Sequence, residues 1–175
     1  ESIVADNLLS PFIVKLPGFV LKKAQDFVES AFSLRSSAAY LAAQSDKLKA
    51  LGLQDPGNKS IMMSYDFHLT GDNQLKLIEI NTNAGGAFYG ALIDEMRWRG
   101  GDRAAKPFGY WAHVFVDHVR QEWDLAGRGI LRTVAVVDDE PDLQFLRLEF
   151  DLAVRALRDA GIARILAGRE PALDV

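Results

Sequence analysis

The sequence predicts a mixed α/β fold, and three observations carry that expectation. Residues 61 to 80 alternate apolar and polar side chains on either side of a turn, which is the pattern of a β-hairpin. Thr133 to Val137 forms an apolar run closed by Asp138-Asp139, followed by a helical stretch and a second apolar run, the order of a β-α-β unit that opens an α/β sheet. The remaining segments carry apolar residues at helical spacing.

Length and composition set the frame. At 175 residues and 49% hydrophobic content the chain is long and apolar enough for a globular core. Its net charge of −4, with both signs interspersed, provides no basic stripe for nucleic acid. Cysteine is absent, which excludes disulfides, thiol nucleophiles and thiolate metal sites and fits a cytoplasmic setting, so a bound metal must rest on oxygen or imidazole. The stretch "NLLSPFIVKLPGFVL" is interrupted by Pro11, Lys15 and Pro17, and so lacks the roughly 20 unbroken apolar residues of a membrane span. No signal peptide is visible, and the chain opens on Glu1 and stops at Asp174-Val175, which leads to the expectation of a piece of something longer.

Each element has its own signal. From Gly18 to about Leu51, Phe19, Ala24, Phe27, Val28, Phe32, Leu34, Leu41 and their neighbours recur at helical spacing, predicting one or two amphipathic helices. "LGLQDPGNKS" is a loop by its Gly52, Pro56, Gly57 and Asn58. Ile61, Met63, Tyr65, Phe67 and Leu69 form one alternating strand, Leu75 to Ile80 the next, with residues 71 to 74 as the loop. "AFYGALIDEMRW" and "YWAHVFVDHVRQEWDLAG" are helical, the second closed by Gly127. After Thr133–Val137, Pro141 takes the first turn of a helix that Gly161 ends, and "ARILA" is a strand. Residues 1–127 are thus expected to form one portion, carrying the hairpin, and 128–175 the start of an α/β domain.

The stretch "LKLIEINTNAGG" poses the chemical question, because an apolar strand ends in Glu79 and Asn81. With a loop at 71 to 74, Asp66 lies opposite Glu79, and opposed residues bring their Cβ atoms within about 5.5 Å. Apposed carboxylates repel, so either one takes up a proton or a cation sits between them. Asp66, Glu79 and Asn81 are all oxygen donors, and Glu79 and Asn81, two apart on a strand, share a face. Such a set suits Mg²⁺, which keeps several waters and takes further ligands from substrate phosphates. Asn83, Gly85 and Gly86 follow, where small residues let backbone N–H groups approach an anion ahead of a helix N-terminus.

In these residues the chain resembles the ATP-grasp ligases. Within them, "YDFHLTGDNQLKLIEINTN" is similar to the circularly permuted branch typified by glutathionylspermidine synthase, over about residues 64 to 90. The resemblance implies that Asp66, Glu79 and Asn81 coordinate the Mg²⁺ ions bridging the phosphates of ATP. It implies ligation of a small carboxylate or peptide to an amine through an acyl phosphate. It also implies an ATP-grasp-like hairpin with helices, followed by a Rossmann-like pre-ATP-grasp β-α-β unit. Ser64 stands where the relative has an arginine that serves the phosphates.

Two other classes compete. "TVAVVDDEPDLQFLRL" resembles the first strand and acidic pair of a response-regulator receiver, with Asp138 and Asp139 as Mg²⁺ ligands, and residues 133–175 as its opening segment. A non-catalytic nucleotide-binding module on the grasp scaffold is the other. Plain structural readings stand beside the chemical ones: Asp66 and Glu79 as solvent-facing hairpin charges, Gly85-Gly86 as a strand-to-helix turn, Asp138-Asp139 as a helix cap. His68 reads as structural. His113 and His118, five apart, do not share a helix face. Phe108, Tyr110, Trp111, Phe115 and Trp123 read as core.

Overall fold

A computed structural model of the chain describes residues 15–53, 57–140 and 143–162, together with the backbone of Arg164–Gly168. In order the elements are α1 (Gly18–Ser33), a 3-10 turn (Leu34–Ser36), α2 (Ala38–Ala50), β1 (Ser64–Leu69), β2 (Leu75–Asn81), α3 (Ala87–Arg99), α4 (Phe108–Leu125), β3 (Thr133–Val137), α5 (Arg147–Asp159) and β4 (Arg164–Gly168). The fold is mixed α/β, with β1 and β2 antiparallel and β3 and β4 parallel.

The chain divides into two units. One holds the described residues through 53 and Ser64–Asn81; the other holds Gly57–Met63 and the described residues from Thr82 onward. By contacts the chain divides at the end of β2, whereas the sequence predicts a boundary after residue 127. The physical basis is packing: α3 and α4 share a core with α5.

In the hairpin unit, Val20, Ala24, Val28, Ala31 and Phe32 lie at i, i+4, i+8, i+11 and i+12 along α1 and are its less exposed positions. The ring of Phe27 meets that of Phe67 of β1 edge-on, with centroids 5.4 Å apart. Ser37 caps α2, its hydroxyl accepting from the Tyr40 N–H at 3.1 Å.

The hairpin register contains the most informative local feature. Partners run Ser64 with Asn81, Tyr65 with Ile80 and Asp66 with Glu79, then Phe67 with Leu77, His68 with Lys76 and Leu69 with Leu75. Ile78 has no partner, and the ladder is bulged there. Strict alternation would place Leu75 and Leu77 on the same face as Glu79 and Asn81. One unpaired residue removes that conflict. It sends Leu75 and Leu77 to the face of Tyr65, Phe67, Leu69 and Ile80, and leaves Glu79 and Asn81 with Ser64 and Asp66. The loop, Thr70 to Gln74, is one residue longer than expected and is held by the Thr70 N–H to Gln74 O and the Gln74 N–H to Thr70 Oγ1, each at 3.0 Å. The longer loop and the bulge offset one another, which is why Asp66 still faces Glu79.

Two sequence expectations change here. β1 begins at Ser64, so Ile61 and Met63 precede the strand. β2, whose apolar run suggests a buried strand, is exposed at Leu77, Ile78 and Ile80 by 40%, 65% and 40%. The hairpin is two-stranded, so only part of its apolar surface meets another element.

The second unit is built on α5. Glu149, Leu152, Ala153, Ala156 and Leu157 are buried at i, i+3, i+4, i+7 and i+8, a stripe that packs on Phe88 of α3 and on Val116 and Val119 of α4. Phe88 stacks edge-on against Phe115 with centroids 5.2 Å apart, and lies 5.8 Å from Phe108. Val134 and Val136 of β3 close the core. Of the aromatics expected in the core, Phe108 and Phe115 pack there, Trp123 is half-buried with its Nε1–H donating to Gly129 O, and Tyr110 and Trp111 are exposed. α5 starts at Arg147, whose N–H donates to Gln144 O at 3.0 Å. Pro141, expected in its first turn, lies outside the described residues. Gly161 follows α5 with φ +79°, the left-handed conformation that ends helices. Among the described residues no helix is long and apolar enough to cross a membrane.

Candidate functional site

The bulge creates one polar face on the hairpin, and four side chains on it are linked. Asn81 Nδ2 donates to Glu79 Oε1 at 2.9 Å and reaches Ser64 Oγ at 3.5 Å, and Ser64 Oγ lies 3.4 Å from Asp66 Oδ1. Ser64, Asp66 and Asn81 are half-buried, whereas Glu79 and His68 are exposed. Because Asn81 uses its amide nitrogen toward Glu79, its Oδ1 remains as an acceptor. The face thus offers two carboxylates and an amide oxygen, an all-oxygen set suited to a hard divalent ion. No group of three His, Asp or Glu side chains among the described residues converges as a metal cage of its own. An ion here needs further oxygens from water or a ligand, which is the usual manner of Mg²⁺.

The glycine corner between β2 and α3 has its own logic. Gly86 precedes α3 with φ +96°, a backbone conformation that favours glycine. At Gly85 an added Cβ would come within 2.6 Å of Leu146 Cδ1, so the absence of a side chain permits close packing. The corner is fastened to the preceding segment by Ser60 Oγ donating to Thr82 O at 2.8 Å and by the Ala84 N–H to Met62 O at 3.4 Å. Asn83 is exposed.

The N-terminus of α3 already faces an anion, supplied by the chain itself. Glu149, 4% exposed, accepts the Tyr89 N–H at Oε1 (2.8 Å) and the Phe88 N–H at Oε2 (3.2 Å). A buried carboxylate is tolerated where it accepts hydrogen bonds and meets the positive end of a helix dipole. The sequence reading passed over Glu149. Its signal was an acidic residue three and four positions before Leu152 and Ala153, hence on the apolar stripe of α5. Beside it, burial raises the Tyr89 hydroxyl above its ordinary pKa, and the charge of Glu149 adds to the effect. That hydroxyl is buried without a hydrogen-bond partner.

The start of α4 repeats the device at the surface. Glu95 accepts the Phe108 N–H at 2.7 Å and pairs with Arg99. The backbone hydrogen bond, then Arg99, hold its carboxyl below the usual range. Asp94 accepts from the Lys106 N–H and from Trp111 Nε1, at 2.8 and 3.0 Å, so the loop joining α3 to α4 is tied at both ends.

Elsewhere the candidate groups have structural partners. Asp138 Oδ1 accepts from the Asp139 N–H (2.8 Å) and from Gln144 Nε2 (2.7 Å), bracing the turn after β3. His113 pairs with Asp117 at 3.2 Å, and His118 Nδ1 lies 3.2 Å from Ile61 O. The two histidines therefore serve different contacts, as their five-residue separation predicts. Comparison with protein-family models, with curated proteins and with solved structures returned no match.

Proposed function

We propose that the chain carries the metal-binding hairpin of an ATP- and Mg²⁺-dependent carboxylate-amine ligase of the ATP-grasp kind. The observation that supports this most is register: Asp66 is paired with Glu79, and Asn81 lies on the same face with its amide turned toward Glu79. In this reading Asp66, Glu79 and the Asn81 Oδ1 hold the ion, and Ser64 orients Asp66. Mg²⁺ supplies neutralisation of phosphate charge. The residues' task is to fix ATP so that its γ-phosphoryl group meets a substrate carboxylate in line, and to exclude competing geometries. The carboxylate oxygen takes the phosphoryl group, ADP leaves, an amine attacks the acyl carbon, and inorganic phosphate departs as the amide forms.

The corner Asn83–Gly86 is proposed as an anion site in its own right. Since Glu149 holds the N–H groups of Phe88 and Tyr89, the donors offered there are the backbone amides of Asn83, Gly85 and Gly86. Ser64 stands where the relative has an arginine, and Lys76, paired with His68, is the cation on this face, so a small acid or peptide and an amine are proposed as substrate classes without naming either.

Panels of carboxylates and amines incubated with ATP and Mg²⁺ test the reading. Release of ADP and phosphate, lost in Asp66→Asn and Glu79→Gln, is the expected result. Formation of AMP and pyrophosphate, or turnover unchanged in both variants, would overturn it.

A further inference from the structure

The second unit contains a cavity that the ligase reading does not use. Its volume is about 250 Å³, and it is lined by residues that include Met62, Met63, Phe88, Trp111, Phe115 and His118. Three parts of its lining are fixed by hydrogen bonds. Segment 60–62 is tied to Thr82 and Ala84, Phe88 is held through its N–H by Glu149, and Trp111 Nε1 is held by Asp94. Preformed, mostly apolar hollows with few placed polar groups are the usual form of small-ligand sites.

We propose that this cavity binds an uncharged, one- or two-ring aromatic molecule bearing a single N–H or O–H donor. The volume suits this size: an enclosed cavity of about 150 Å³ accepts benzene, and this half-open pocket, with Trp111 and His118 exposed at its rim, has room for a fused second ring. The lining carries no Asp, Glu, Lys or Arg, so a charged ligand would lose hydration without compensation. Two thioethers and three aromatic rings favour a flat, polarisable occupant over a branched aliphatic one. The polar contact comes from His118. Its Nδ1 lies 3.2 Å from Ile61 O, and a carbonyl oxygen only accepts, so the tautomer that makes this bond carries its proton on Nδ1 and leaves Nε2 as an acceptor. Trp111 Nε1 is already committed to Asp94.

Titration of the ¹⁵N-labelled chain with indole, followed by NMR, tests the proposal. Saturable shifts of the Trp111 side-chain N–H and of the Met62 and Phe88 amides are expected. 1-Methylindole, which lacks the donor, should bind about tenfold more weakly, the factor that corresponds to one lost hydrogen bond. His118→Phe should weaken indole and erase the difference between the two ligands. Val114→Trp should fill the cavity and abolish binding, and Ala87→Trp, at an exposed lining position, gives the same readout should the first variant misfold. Non-saturating shifts, equal affinity for the two ligands, or binding retained in a folded cavity-filling variant would overturn it.

Discussion

The hairpin unit and the α3–α4–α5 unit bury apolar surface to very different degrees. Among the described residues of the first, Val20 alone is fully buried, while Leu21, Leu51 and Ile78 are 56%, 71% and 65% exposed. The second encloses Phe88, Val116, Val119, Leu152 and Leu157, all at 8% exposure or less. The hairpin is held by its ladder, by the Phe27–Phe67 contact and by the side-chain links of its polar face. The helical unit is held by its core and by a buried carboxylate. The main apolar core and the proposed metal-binding face therefore lie in different units, and substitutions can separate them.

The largest effect is expected at Leu157, which is 0% exposed. Leu157→Ala should cost about 3–5 kcal/mol, the range for emptying a buried leucine site, whereas Ile78→Ala, on the exposed β2, should stay within about 0.5 kcal/mol. Chemical denaturation, followed by tryptophan fluorescence for the helical unit and by amide NMR signals of β1 and β2 for the hairpin, measures both. Equal losses at the two positions would remove the distinction between the units. Next in size is Glu149→Ala, which orphans the N–H groups of Phe88 and Tyr89 and should cost about 2–3 kcal/mol. Hydrogen exchange should then show the first turn of α3 opening faster while β1 and β2 keep their protection.

How much of this was legible in the sequence depends on the range of the interaction. The hairpin, its facing pair Asp66 and Glu79, the β3–α5–β4 order and the ends of α4 and α5 follow from alternation, turn residues and glycines, all local signals. The bulge at Ile78 was not read, although the clash of Leu75 and Leu77 with Glu79 and Asn81 under strict alternation announces it. The partnership of Glu149 with α3 was hidden because its two ends are 60 residues apart. The division at Asn81 depends on which core α3 joins, a choice that helical spacing cannot express.

Two smaller effects sharpen the comparison. Gly86→Ala forces a side chain into φ +96° and should cost about 1 kcal/mol or somewhat more. It should lower the midpoint of the helical unit without altering the hairpin. Acidification should act on Glu95. Its folded-state pKa is depressed, so its contribution is present above the ordinary carboxylate value and is lost as pH falls through the depressed one. Glu95→Gln should flatten that acid limb, which a pH series of thermal melts would record.

Paramagnetic titration tests the hairpin face most directly. Mn²⁺, standing in for Mg²⁺, is added to the ¹⁵N-labelled chain in the presence of ATP. The amides of Asp66, Glu79 and Asn81 should broaden at the lowest Mn²⁺ additions, ahead of those of α5, and the selective loss should vanish in Asp66→Asn and Glu79→Gln while the α5 resonances keep their positions. Broadening spread evenly over the chain, or selective loss that persists in both variants, would contradict the assignment of this face to a divalent ion.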